Sequence, residues 1–238
     1  MFNKFCFYFM LFIIYSFIGW SIEVVGKLIE KHKFINRGFL VGPICPIYGW
    51  GCIAIILLLS KYKSSPIVLF LMAIIICSIL EYFTSYFMEK LFHVRWWDYT
   101  RRKYNINGRI CAETMIPFGL LGCLVVYIVN PIFTGLLNKI PVNILNILAI
   151  IIFTIYVIDN IVSLSVMFGF KGTLKTVEKD GTEEITKKVR EVLLKRNFLY
   201  KRLVNAFPNI TSKKERLELL ESKISVEIEK LKNKMEKK

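Results

Sequence analysis

Residues 66–87 read PIVLFLMAIIICSILEYFTSYF, an uninterrupted run of 22 residues in which Glu81 is the single charged side chain. As a helix, this run is about 33 Å long at a rise of 1.5 Å per residue. The hydrocarbon core of a bilayer is about 30 Å thick. The run therefore predicts a transmembrane helix.

Four other apolar runs of similar length occur in the chain. The predicted spans are residues 5–25, 41–60, 66–87, 110–129 and 144–168. Residues 171–238 instead hold 19 of the 33 basic and 11 of the 18 acidic side chains. We predict an all-α polytopic membrane protein with about five transmembrane helices, divided into a transmembrane domain (1–170) and a basic, cytoplasmic helical tail (171–238).

Basic residues alternate along the segments that connect the predicted spans. The N-terminus, second loop and fourth loop hold 1, 2 and 1 Lys or Arg, whereas the first loop, third loop and tail hold 4, 6 and 19. Because basic loops stay in the cytoplasm, the N-terminus is predicted outside and the tail inside. This orientation needs an odd number of spans, which five supplies.

The tail sequence predicts a helical hairpin. An apolar pattern covers 182–207, and Pro208 interrupts it. Ser212 and Glu215 then have the spacing of a capping box before a Lys- and Glu-rich helix with one apolar stripe. The hairpin packs on itself in one interpretation, and in the other its second helix docks a partner or a second copy.

Charged side chains interrupt the predicted spans. The acids are Glu23, Glu81, Glu113 and Asp159. The arginines at the same predicted level are Arg37, Arg95 and Arg109. In the predicted orientation all four acids fall in the inner half of the membrane, which predicts a polar cavity open to the cytoplasm. The other interpretation is structural, with each acid paired to a loop arginine.

The two predicted cytoplasmic loops carry the remaining candidate residues. Residues 36–51, NRGFLVGPICPIYGWG, place two prolines and several glycines in the first half of the second span. Such interruptions mark binding sites in transporters, although a kinked helix with close-packed glycines is the alternative. In the third loop, the aromatic residues of 95–99 fit an interfacial belt, and Gly108-Arg109 opens the fourth span, where free N–H groups could hold an anion. The predicted substrate-binding set is Glu23, Asn36, Arg37, Glu81, Arg95, Trp97, Asp98, Asn105, Arg109, Glu113 and Asp159.

Several chemistries lack their motifs in this sequence. There is no G-x-x-x-x-G-K-[ST], no H-E-x-x-H and no G-x-S-x-G. The two histidines and six cysteines include no C-x-x-C pair. We therefore predict no metal site and no cofactor, identify no catalytic residue and favour a role other than catalysis. The basic charge beside long apolar runs indicates a lipid bilayer as the partner, so nucleic acid is not expected.

The ordered motifs are similar to those of a bacterial membrane protein family. They are 17–23 (FIGWSIE), 36–40 (NRGFL), 42–49 (GPICPIYG), 80–82 (LEY), 95–99 (RWWDY) and 105–109 (NINGR). Over about residues 12–165 the sequence resembles the family labelled putative ABC-transporter type IV (CmpB-like). The resemblance implies a protein of the bacterial inner (cytoplasmic) membrane and a permease subunit of a transporter. It would need a separate ABC ATPase, and a homodimer is expected because five spans are few for a translocation path.

Three functional hypotheses follow from these observations. The first is an ABC-type permease subunit with a cytoplasm-facing polar cavity. The second is a membrane-embedded enzyme or binding protein that acts on a lipid-linked or phosphorylated molecule at the cytoplasmic leaflet. The third is a membrane scaffold or regulator that acts through its tail.

Overall fold

The computed structural model describes residues 1–92, 94–179, 198–199, 202 and 211–212. The described α-helices are α1 (Phe2–Lys31), α2 (Pro46–Leu59), α3 (Pro66–Phe92), α4 (Ala112–Leu124), α5 (Asn130–Leu137) and α6 (Val142–Lys179). A 3₁₀ turn, Ser60–Tyr62, extends α2, and a π-helical segment, Val125–Val129, joins α4 to α5. Short antiparallel strands pair β1 (Val94–Arg95) with β4 (Thr211–Ser212) and β2 (Asn105–Ile106) with β3 (Ile110–Cys111).

The helices confirm the predicted all-α membrane fold. Four helical segments are long and apolar enough to cross a bilayer: Phe2–Lys31, Pro66–Phe92, Ala112–Leu137 and Val142–Gly169. The first three end five to eight residues beyond the predicted span, because helix geometry continues after the hydropathy signal stops, and the fourth agrees with its predicted span to within two residues. The predicted second span is a shorter apolar helix, Pro46–Tyr62.

The short second helix follows from its sequence. Pro46 occupies the first turn of α2, and the preceding Cys45 is extended, with φ −118° and ψ 92°. Proline is tolerated at a helix start because its missing N–H has no intrahelical partner there. Residues 41–45 are therefore not helical, which confirms that the glycines and prolines break the first half of this span.

Two apolar clusters hold the helices together. One centres on Leu11 and Tyr15 of α1 and includes residues of α2, α5 and α6. The other joins α2 to α3 around Leu59 and Leu69. Many large apolar side chains outside these clusters are exposed. That pattern is expected for a surface that faces lipid tails.

The described tail residues make contact with the helical domain. Helix α6 continues beyond residue 170 to Lys179, and β4 pairs with β1 in the third loop. Residues 198–199 and 202 are helical, and the rest of the predicted helices over 182–207 and after Ser212 lies outside the described residues. The division at residue 170 remains a prediction.

Candidate functional site

A buried polar stripe runs along α3. Its members are Ser78, Glu81, Ser85 and Glu89, each exposed by less than a tenth. Their spacing of three, four and four residues places them on one face of the helix. The large apolar residues Ile75, Ile79 and Phe83 of the same helix are exposed. In a membrane, this arrangement turns the polar face toward protein and the apolar face toward lipid.

The third loop covers the C-terminal end of this stripe through a tight hairpin. Between β2 and β3, Asn107 and Gly108 both have positive φ, 52° and 65°. The Arg109 N–H donates to the Ile106 carbonyl at 3.0 Å. Two successive positive φ values define a type I′ turn, for which Asn-Gly is the preferred sequence. Because Ile106 pairs with Ile110, Arg109 is the third residue of the loop. The hairpin thereby returns the chain toward α3 at Arg109.

Two arginines from the third loop converge on one carboxylate of α3. Oε2 of Glu89 lies 3.2 Å from both Nε and Nη2 of Arg95 and 2.8 Å from Nη2 of Arg109. The side chains are exposed by only 5% for Arg95, 9% for Glu89 and 10% for Arg109. Arg95 also contacts Asp98 at 3.4 Å and donates to the Asn107 carbonyl at 2.9 Å. We call Glu89, Arg95, Asp98 and Arg109 the loop 3 ion cluster.

The Arg109 side chain is held by several contacts besides its ion pair with Glu89. Its guanidinium donates to Ser85 Oγ at 3.3 Å and lies over the rings of Tyr82 and Tyr86, 5.6 and 5.4 Å from their centroids. Cation–π contact and burial favour a fixed guanidinium. We predicted that Arg109 binds an anion. In the structure its guanidinium is already paired with the carboxylate of Glu89.

Other predicted site residues of the third loop order its backbone. Trp97 Nε1 donates to the Arg109 carbonyl at 3.1 Å, and Asp98 Oδ1 accepts the Thr100 N–H at 2.9 Å. Asn105 Oδ1 accepts the Gly108 N–H at 2.9 Å. These short-range bonds fix the loop rather than leave donors free for a ligand.

Glu81 differs from Glu89 in having no counter-ion among the described residues. Its Oε1 accepts the Tyr99 hydroxyl at 3.3 Å, whereas its Oε2 is buried without a hydrogen-bond partner. Burial raises the pKa of Tyr99, and Glu81 and then Glu23 raise it further. Glu81 and Glu23 thus act on the same hydroxyl from two different helices.

Glu23 of α1 forms a second polar contact with the first loop and α2. Tyr48 donates its hydroxyl to Glu23 Oε1 at 2.7 Å, and Arg37 Nε lies 3.5 Å from Glu23 Oε2. Asn36 accepts Trp20 Nε1 at 2.7 Å and donates to the Val41 carbonyl at 2.9 Å. We call Glu23, Tyr48, Glu81 and Tyr99 the carboxylate–tyrosine cluster.

Asp159 of α6 binds backbone rather than an arginine. Its Oδ1 accepts the Val41 N–H and its Oδ2 the Gly42 N–H, both at 2.8 Å, and Ser163 donates to Oδ1 at 3.1 Å. A Cβ on Gly42 would lie 2.8 Å from Oδ2, so only glycine lets the backbone approach this closely. Asp159 therefore anchors the broken start of the second span.

The structure places the predicted residue Glu113 on the surface and adds a buried residue, Glu89, that was missed. Glu113 pairs with Arg102 at 2.8 Å on the surface, with side chains 58% and 61% exposed, so it joins neither cluster. Glu89 was absent from the predicted set because the third span was ended at residue 87. The i, i+4, i+8 spacing of Glu81, Ser85 and Glu89 was the available signal.

Four long apolar helices, a shorter fifth and charged side chains buried between them define a multi-pass α-helical membrane protein. The sequence model of the family described as "Putative ABC-transporter type IV" matches residues 10–164, and the chain belongs to this family. That match confirms the resemblance seen in the motifs and supports a transporter-like role. Comparisons with curated proteins and with solved structures gave no match.

Proposed function

We propose that this chain is the membrane-embedded permease subunit of an ABC-type transporter and that its carboxylate–tyrosine cluster contacts the substrate. The observation that carries the site is the buried carboxylate of Glu81, which lacks an ion pair in the described part of the chain. An intramembrane ionisable residue of this kind indicates a functional site. Family membership supplies the transport context.

Charge balance favours a positively charged group on the substrate. In the loop 3 ion cluster, two guanidiniums face two carboxylates. Around the other cluster, Arg37 is the counter-ion of Glu23, and Glu81 has no counter-ion within the described residues. A buried, unpaired carboxylate costs several kcal/mol, which a bound cation would offset. Two tyrosine hydroxyls beside these carboxylates could accept N–H donors from an ammonium group.

The remaining predicted residues receive positioning roles in this proposal. Arg95, Arg109, Trp97 and Asp98 hold the third loop over α3, and Asp159 holds the start of α2. A lipid-linked or phosphorylated ligand has less support, because a phosphate would compete with Glu89 for both buried guanidiniums. We retain the N-out, C-in orientation, a homodimer and the bacterial inner membrane as parts of the proposal.

Energy for transport would come from a second protein. The sequence contains no P-loop motif, so ATP hydrolysis requires a separate ATPase chain. In the predicted orientation, the first and third loops and the tail face the cytoplasm and could form its docking surface. The carboxylate–tyrosine cluster connects to both loops through Arg37 and Tyr99, so loop movement would reach the substrate contacts.

Mass spectrometry of small molecules that co-purify with the protein tests the site. The wild type, Glu81→Gln and Glu30→Gln would be purified side by side from native membranes in mild detergent. Glu30 is an exposed acid that pairs with Lys27 on α1, and serves as the control for loss of one negative charge. We expect a cationic compound with the wild type and the Glu30 variant and at least tenfold less with Glu81→Gln. Equal retention by all three proteins, or retention of anions alone, would contradict the assigned site.

A further inference from the structure

The non-helical start of the second span has its backbone groups held by three other parts of the chain. Asp159 accepts the N–H groups of Val41 and Gly42, and the Cys45 N–H donates to the Ser16 carbonyl at 3.0 Å. Irregular backbone next to a bilayer must be satisfied inside the protein, because lipid offers no hydrogen bonds. The carbonyls of the residues just before Val41 therefore also need donors.

Those donors come from the tail. Arg202 Nη1 donates to the Gly38 carbonyl at 3.2 Å and to the Leu40 carbonyl at 2.6 Å, and its Nη2 donates to the Phe39 carbonyl at 3.1 Å. Leu40 is completely buried. We call these three consecutive carbonyl oxygens the carbonyl cup. A planar guanidinium with five fixed N–H donors can reach three acceptors at once, which an ammonium on a flexible stem does with less order.

Burial and a nearby carboxylate act on the Arg202 guanidinium in opposite directions. Burial lowers the pKa of Arg202, and attraction to Asp159 offsets part of that effect. The carboxylate and the guanidinium thus act on opposite groups of one backbone segment: Asp159 binds N–H groups at 41–42, and Arg202 binds carbonyls at 38–40. The Leu40 carbonyl and the Val41 N–H belong to one peptide group, so both interactions favour the same orientation of its dipole.

A second contact joins the tail to the other predicted cytoplasmic loop. Strand β4 pairs antiparallel with β1, with Val94 opposite Ser212 and Arg95 opposite Thr211. Arg95 belongs to the loop 3 ion cluster. The described tail residues therefore contact both the first loop, whose Arg37 pairs with Glu23, and the third loop, whose Tyr99 donates to Glu81.

We propose that the carbonyl cup is a guanidinium-binding site whose occupant is Arg202, and that this contact latches the C-terminal segment onto the membrane domain. The latch fixes the first loop, which leads from Arg37 to α2. Release of Arg202 would free three carbonyls and loosen this loop. This inference does not depend on the identity of the transported substrate.

Hydrogen–deuterium exchange of the peptide covering residues 38–42 tests the latch. The variants are Arg202→Ala, Arg202→Lys and, as the control for loss of one exposed positive charge, Arg101→Ala. We expect exchange to rise at least tenfold in Arg202→Ala, to rise less in Arg202→Lys and to stay unchanged in Arg101→Ala. Ethylguanidinium at a non-denaturing concentration should restore protection to Arg202→Ala, whereas ethylammonium should not. Unchanged exchange in Arg202→Ala, or equal rescue by both compounds, would overturn the proposal.

A disulfide cross-link provides a readout if Arg202→Ala does not fold. Cysteines placed at positions 94 and 212 lie directly opposite each other in an antiparallel pair, where Cβ atoms are about 5 Å apart. In an otherwise wild-type chain, mild oxidation should join them rapidly, and added ethylguanidinium should slow the reaction by competing for the cup. A cross-linking rate in this folded chain that ethylguanidinium leaves unchanged would refute the latch, as unchanged exchange would.

Discussion

Replacement of Glu89 by glutamine should destabilise the protein more than any change to a surface ion pair. The variant keeps the side-chain size but removes the carboxylate that lies 3.2 Å from Arg95 and 2.8 Å from Arg109. Arg95 would keep Asp98 and the Asn107 carbonyl. Arg109 would keep its contacts with Ser85 and two tyrosine rings, none of which is a carboxylate. One buried guanidinium would thus lose its counter-ion.

The geometry sets the size of the effect. With charge centres about 4 Å apart and an effective dielectric constant of about 20, each lost pair is worth about 4 kcal/mol. The variant also avoids the desolvation of Glu89, which offsets part of the loss. Removal of one partner from a buried ion pair typically costs about 3–5 kcal/mol. At about 2–4 °C per kcal/mol for a chain of this size, Tm should fall by about 6–20 °C.

Thermal unfolding in detergent, followed by size-exclusion chromatography after heating, measures this shift. Glu113→Gln is the matched control, since its pair with Arg102 is more than half exposed and worth about 0–1 kcal/mol. Replacement of Glu89, Arg95 and Arg109 together by methionine should recover much of the loss, because no buried charge of the trio remains. Equal Tm values for Glu89→Gln and Glu113→Gln would refute the structural role of the loop 3 ion cluster.

Three further predictions concern the loops. Tyr99→Phe should lower the free energy of unfolding by about 1–2 kcal/mol at neutral pH through loss of the hydrogen bond to Glu81. Because the pKa of Tyr99 is raised in the folded state, the wild type should lose stability as the pH rises above about 10. The Phe variant should lack this part of the loss. Asp159→Asn should cost about 1.5–3 kcal/mol in thermal unfolding, because a charged acceptor for two N–H groups becomes neutral. Gly108→Ala should lower Tm by several degrees, corresponding to about 1–3 kcal/mol, since φ is 65° and the new Cβ would lie 2.7 Å from Asp98 Oδ1.

The sequence was sufficient to predict elements whose signals are local. Helix α3 follows from one long apolar run, and the break before α2 follows from Pro43, Pro46 and their neighbouring glycines. Charge alternation gave an orientation, which a C-terminal reporter fusion can test. These features depend on residue type over short windows, so no tertiary information is required.

Pairing between distant residues was not predictable to the same degree. The acids and arginines were identified, but their partners were not, because Asp159 meets Val41 across 118 positions. Glu89 was overlooked because it follows the apolar run that defined the third span. Glu113 was expected to face inward, yet the turn of α4 from which it projects faces the surface. Periodicity identifies a face of one helix, and packing against other elements decides what that face contacts.

The central proposal is that this chain works as the membrane subunit of an ABC-type transporter. Quantitative mass spectrometry of the tagged full-length protein, isolated from its native membrane in mild detergent, tests it most directly. We expect a P-loop ATPase in a fixed ratio to the chain, retained in Glu81→Gln, because the substrate contact and ATPase docking involve different residues. Isolation of the intact protein with no P-loop ATPase at a reproducible ratio would contradict the permease proposal.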